Sequence, residues 1–200
     1  MRSPVGLGLV LVTRIVLAAV VLTAVVDGSL AGLLAGLLAT QLLVKRRFAP
    51  SVAETIGQIV MTCLVLGVGF DLLGPSLASI AVIAAVAYGF NGLAKVANPK
   101  WRSGDYLLAV FRSRVFGLRR AATVTLRVAG AVRVMSWSLM LWELSFPVAL
   151  LDPRLAFAYC ACGLAFHVGT AIVMGLHQFP WAFAATYPAV LWFASAETIF

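Results

Sequence analysis

The sequence predicts an all-α integral membrane protein, a bundle of about seven transmembrane helices with one amphipathic interfacial helix. Three observations carry that prediction. Of the 200 residues, 62% are hydrophobic and 11% charged, and the mean hydropathy is +1.04, which is too apolar for the surface of a water-soluble domain. Apolar runs of the roughly 20 residues needed to cross a bilayer recur along the chain. Basic residues gather in alternate connections, as the positive-inside rule requires. The net charge of +8 is therefore assigned to orientation in a lipid bilayer; nucleic-acid binding is not expected. Residues 1–200 form a single membrane domain.

The runs place spans at about 5–26, 29–44, 55–74, 76–97, 129–151, 154–176 and 179–198. The first follows Arg2 and is longer than the apolar core of a signal peptide, about 7–15 residues, so it reads as a retained span. The second is short, a span tilted poorly or partly re-entrant. Glu54 sits at the edge of the third, and Asp71, Gly74 and Pro75 mark the turn that ends it. With the N-terminus inside, Arg2, Lys45, Arg46, Arg47 and the basic stretch 98–128 fall on the cytoplasmic side, while Asp27, Asp71, Asp152 and Arg154 fall outside. Within 98–128, Leu107, Val110, Phe111, Val115 and Leu118 recur at helical spacing beside Arg112, Arg114, Arg119 and Arg120. That pattern predicts an amphipathic helix lying on anionic lipid. Cys63, Cys160 and Cys162 all fall within apolar runs and lack metal-ligand spacing, so no metal site is expected.

Polar residues at bilayer depth mark function or a structural pair. At about 100° per residue, Arg133, Ser136, Met140, Glu143 and Pro147 share a face of the fifth span. Cys160, Gly163, His167, Thr170 and Met174 share a face of the sixth, and Tyr88, Asn91 and Lys95 one of the fourth. Lys95, Glu143 and His167 are the candidate catalytic residues: a lysine and a histidine can move protons, and a carboxylate can accept them. Tyr88, Asn91, Arg133, Ser136 and Thr170 are candidate pocket residues. Glu143 and His167 lie on neighbouring antiparallel spans, which predicts a carboxylate–imidazole contact. Each candidate has a structural alternative: Lys95 snorkelling to the interface, His167 as a helix–helix hydrogen bond, and Glu143 as counter-ion to Arg14 or Arg133. His177, Trp181 and Tyr187 read as an interfacial belt.

Three segments, "FNGLAKVANPKWRSGDYL" (90–107), "SWSLMLWELSFPVALL" (136–151) and "FHVGTAIVMGLHQFPWAFAATYPAVL" (166–191), occur in that order. Through Lys95 ahead of Trp101-x-x-Gly104, the Glu143-x-x-Phe146-Pro147 run and Phe166-His167, they resemble the HTTM membrane domain of vitamin K-dependent γ-carboxylases and their bacterial relatives. Among those relatives the chain looks like the short forms, SdpB-type proteins. The resemblance covers 88–191, leaving 1–87 as N-terminal helices. It implies a helical bundle in a bacterial cytoplasmic membrane, a reduced quinone as cofactor, and Lys95 as the base that deprotonates it. It also implies a role in modifying or maturing a secreted peptide. Because the sequence ends at Phe200, without the large extramembrane portion that holds a carboxylase's peptide, carboxylation by this chain alone is not expected. Two other readings compete: a non-catalytic scaffold or export factor serving a partner enzyme, and a small transporter or proton channel, against which stands the lack of an inverted repeat or paired broken helices.

Overall fold

A computed structural model describes residues 51–112 and 130–196. The spans predicted at 5–26 and 29–44, Arg14, and the 113–128 part of the basic stretch lie outside them. Every regular element among the described residues is helical. These are α1 (Val52–Gly69), α2 (Leu73–Ala97), α3 (Pro99–Arg102), α4 (Asp105–Arg112), α5 (Ala131–Ser145), a 3-10 segment (Phe146–Leu151), α6 (Pro153–Met174), α7 (Gln178–Ala184) and α8 (Tyr187–Ala196). Four stretches are long and apolar enough to cross a membrane: Val52–Gly69, Leu73–Ala97, Ala131–Leu151 and Pro153–Ile172. They correspond to the third to sixth predicted spans. Large apolar side chains such as Phe90 (69% exposed) and Phe157 (68%) point away from the protein interior, as lipid-facing residues of an integral membrane protein do.

The ends of these helices follow from local chemistry. Ser51 and Glu54 form a capping box on α1, each side chain accepting from the other's backbone N–H, at 3.2 and 3.0 Å, so the edge carboxylate is an N-terminal cap. The turn after α1 is made by Asp71 at φ 56°, a residue type that tolerates the left-handed region. Gly74 and Pro75, predicted as part of that turn, belong to the first turn of α2, where proline's missing N–H costs nothing. Asp152 caps α6 by accepting from the N–H groups of Arg154 and Leu155, Pro153 opens the helix, and Gly175 at φ 68° closes it.

Two predicted spans and the basic connection are interrupted. Pro147 cannot donate to the Glu143 carbonyl, Phe146 N–H takes that place, and the fifth span tightens into its 3-10 end. The span predicted at 179–198 is two short helices. Pro188 has no N–H for the Ala184 carbonyl, and the chain breaks at Ala185–Thr186, where Thr186 Oγ1 donates to the Phe183 carbonyl at 2.7 Å. The basic connection likewise divides into α3 and α4 at Gly104, whose φ is 86°.

The chain divides into two compact units at Leu77–Ala78. Within 78–200, α2 runs antiparallel to α5. Gly89 faces the Pro147 ring, and a β-carbon on Gly92 would stand 2.8 Å from Leu144 Cα. Only glycine allows this approach of backbones, the small-residue contact common where membrane helices cross. Helix α6 packs antiparallel on α5, with the Tyr159 hydroxyl donating to Ser145 Oγ at 2.8 Å.

Candidate functional site

The crossing at Gly92 brings Lys95, one turn further along α2, beside Glu143 of α5. The Lys95 ammonium donates to Glu143 Oε1 at 2.7 Å and also to Oε2. Glu143 is buried while the lysine side chain keeps 19% of its surface exposed. Its Nζ lies 5.4 Å from the centre of the Trp101 ring, a cation–π contact on a second side. Trp101 is fixed in turn by its carbonyl, which accepts from Ser136 Oγ at 2.6 Å. Gly104 completes this end. In its left-handed conformation it packs on the Arg133 backbone, where a β-carbon would come within 3.2 Å of the Arg133 nitrogen.

A second polar group lies two turns back on the same face of α2. Tyr88 and Lys95 are seven residues apart, about 10 Å along the axis. The Tyr88 hydroxyl is hydrogen-bonded to His167 Nε2 of α6 at 2.7 Å and to the Tyr187 hydroxyl of α8 at 2.9 Å. Aromatic rings enclose the three: Phe146 stacks on Tyr88 at 4.1 Å and Phe183 on His167 at 4.2 Å. Trp142 meets Tyr88 edge-on at 5.2 Å. Gly163 makes room for this arrangement, because a β-carbon there would lie 3.1 Å from Tyr187 Cζ and 3.3 Å from Trp142 Cζ2. Two buried nitrogens, Trp142 Nε1 and His167 Nδ1, have no hydrogen-bond partner among the described residues.

The predicted residues therefore sort into three groups. Lys95 pairs with Glu143 and Tyr88 with His167, two separate contacts on the inner faces of α2, α5 and α6. Ser136 is buried but its hydroxyl is used to hold Trp101, and the Thr170 hydroxyl donates to the His167 carbonyl of its own helix at 2.9 Å. Asn91 and Arg133 are exposed. Asn91 lies about 60° round α2 from Tyr88, on the edge that the close approach at Gly92 leaves uncovered. The carboxylate–imidazole contact is not formed: Glu143 is engaged by Lys95 and His167 by Tyr88. Lys95 is the counter-ion of Glu143, and Arg133 is exposed; Arg14 lies outside the described residues.

Tyr187 is the residue sequence reasoning missed. Assigned to an interfacial belt, it is buried and bonded to Tyr88, whereas Trp181, assigned to the same belt, is 79% exposed. An apolar groove of about 300 Å³ along the α6–α7 seam, lined by Leu164, Val168, Ile172, Pro180 and Trp181 among others, contains none of the candidate residues. Its apolar lining suits lipid rather than chemistry.

Compared with known proteins, the chain matches no family model, no curated protein and no solved structure.

Proposed function

We propose that this is a short HTTM-type protein of seven spans in a bacterial cytoplasmic membrane, N-terminus inside, which acts in the modification or maturation of a secreted peptide through proton transfer at an intramembrane site. The observation that carries the reading is the Lys95–Glu143 pair joining two membrane-crossing helices. Intramembrane ion pairs are costly to build and mark functional sites by default. The pair holds one mobile proton between ammonium and carboxylate. Moving it from Nζ to Glu143 leaves an uncharged amine whose lone pair can take a proton from a substrate. Lys95 meets that substrate on its exposed side, and Trp101 holds the ammonium once the proton has arrived.

The reduced quinone implied by the resemblance fits in one respect: Trp142 Nε1 and His167 Nδ1 are buried without partners and would hold its oxygens. When bound, such a molecule would supply a hydroxyl to deprotonate.

A second reading, a non-catalytic scaffold or export factor for a partner enzyme, is favoured by the exposed basic residues Lys100, Arg102 and Arg112 beyond the end of α2. Lys95→Arg separates the two. Arginine keeps the ion pair but does not give up its proton. Secreted peptides from cells making wild type or variant at equal protein level are compared by mass spectrometry. Lys95→Arg and the Lys95→Ala, Glu143→Ala, His167→Ala triple variant both abolish maturation if the site is catalytic. Full maturation by Lys95→Arg would move the assignment to the scaffold, and full maturation by the triple variant would end the catalytic reading outright.

A further inference from the structure

Hydroxyl groups in membrane helices commonly bond a carbonyl one turn back in their own helix. Thr62 donates to Gln58, Ser145 to Trp142 and Thr170 to His167 in this way, at 2.8, 3.2 and 2.9 Å. Ser136 does not. Fully buried in α5, it donates across to the Trp101 carbonyl of α3 at 2.6 Å.

The segment that receives this bond is otherwise tied to itself and to the end of α2. Asn98 Oδ1 accepts from the Lys100 N–H at 3.0 Å, Arg102 Nη1 donates to the Val96 carbonyl at 3.0 Å, and Ser103 Oγ donates to Asp105 Oδ2 at 2.7 Å. Those bonds shape residues 98–105 but do not set where they stand against α5. Gly104 on the Arg133 backbone and the Ser136 hydrogen bond do that, and the second acts at Trp101 itself.

The seat of this ring matters because its attraction for a cation is short-ranged. An aromatic face holds an ammonium within about 6 Å of its centroid, and Lys95 Nζ stands at 5.4 Å. A displacement of about an ångström takes it out of reach. The ring attracts the charged ammonium and not the neutral amine, so it favours the lysine as it gains a proton.

We propose that Ser136 is a positioning residue for Lys95, acting through Trp101: its hydrogen bond seats the indole where it stabilises the charge that appears on Nζ during proton transfer. This deepens the proton-transfer reading and rests on it for the effect on rate, whereas the placement of the ring stands independently of it.

The test uses the full chain in detergent micelles with ¹³C-labelled lysine. The chain has three lysines, Lys45, Lys95 and Lys100, and the Lys95 signal is the one lost in Lys95→Arg. Ring current from Trp101 is expected to displace the Lys95 ε-methylene protons upfield. Trp101→Leu is expected to abolish that displacement and Ser136→Ala to remove part of it. Lys100, whose Nζ lies 5.8 Å from the centre of the Tyr106 ring, is the control and is expected to stay in place. Movement of both signals in Ser136→Ala would mean that the bond merely holds the segment together, and would overturn the positioning role.

The rate of peptide maturation in cells, at equal protein level, is the second readout. Trp101→Leu is expected to slow it about tenfold and Ser136→Ala about threefold. The Ser136 bond is to backbone and survives in Trp101→Leu, so Ser136→Ala is expected to slow maturation no further in that background. An equal loss in both backgrounds would overturn the proposal, as would a Lys95 signal unmoved by Ser136→Ala. If Lys95→Arg leaves maturation intact, the proton-transfer reading falls by itself, and the Lys95 signals still decide whether Ser136 seats the ring.

Discussion

At the scale of single residues, Lys95 and Glu143 make sense only together. Removing one partner leaves a charge in a low-dielectric interior, whereas replacing both with apolar residues removes the desolvation cost along with the attraction. Lys95→Met is expected to destabilise the protein by about 3 kcal/mol, the lower end for a broken buried pair because the lysine keeps some exposure. Glu143→Leu is expected to cost less than Lys95→Met, since the lysine left behind can reach water. The double variant is expected to return to within about 1 kcal/mol of wild type. Unfolding in sodium dodecyl sulfate mixed micelles measures all four corners of the cycle, and strictly additive single effects would mean that the pair contributes no coupling. The stripe through Ser136, Met140 and Glu143 and that through Cys160, Gly163 and His167 were legible because a continuous helix fixes angular position from sequence spacing alone. Their partners were not. Periodicity states which face is inner and is silent on which neighbour meets it, so Glu143 was matched to His167, when the helix crossing at Gly92 sets it opposite Lys95. Asn91 lies at the edge of that face and is exposed.

At the scale of elements, two glycines decide how close the helices come. Gly92 sets the α2–α5 crossing, and an added methyl there must displace backbone at Leu144, which cannot swing aside as a side-chain tip would. Gly92→Ala is expected to cost about 1–3 kcal/mol, read as a lowered thermal midpoint in detergent. Gly163→Ala meets the end of the Tyr187 side chain instead, so the ring can tilt away. The smaller loss expected there falls on the Tyr88–Tyr187 hydrogen bond, and Tyr187→Phe should cost no further stability in that background. Equal losses at the two glycines would refute this distinction between backbone and side-chain contact. The helix starts at Ser51-x-x-Glu54 and Asp152-Pro153 carry local capping signals, but Glu54 and Asp152 were read only as charges at the ends of spans. The break before Tyr187 was not read, although Pro188 signalled it. A broken helix resets angular phase, so Tyr187 could not be placed on a face by counting from His177 or Trp181.

For the molecule as a whole, the arrangement of α2, α3, α5 and α6 fixes which connections share a side of the bilayer. Trp101 and Gly104 sit against Ser136 and Arg133 near the start of the Ala131–Leu151 stretch, and Asp152 follows its end. A stretch of 21 residues separates the two ends; its helical part rises about 1.5 Å per residue and its 3-10 part about 2 Å, together enough for a hydrocarbon core of roughly 30 Å. Cysteines placed at Ser103 and Asp152, in a background without Cys63, Cys160 and Cys162, must therefore react with a membrane-impermeant maleimide from opposite sides. On the orientation proposed above, Lys100, Arg102 and Arg112 put the α3–α4 connection on the cytoplasmic side, as the positive-inside rule requires. In intact cells the Asp152→Cys protein is expected to be labelled and the Ser103→Cys protein protected until the membrane is opened. Labelling of both from outside would show that α5 does not cross. Reversed labelling would keep the span and invert the orientation, putting the exposed side of Lys95 at the outer surface and with it the direction from which the transferred proton comes.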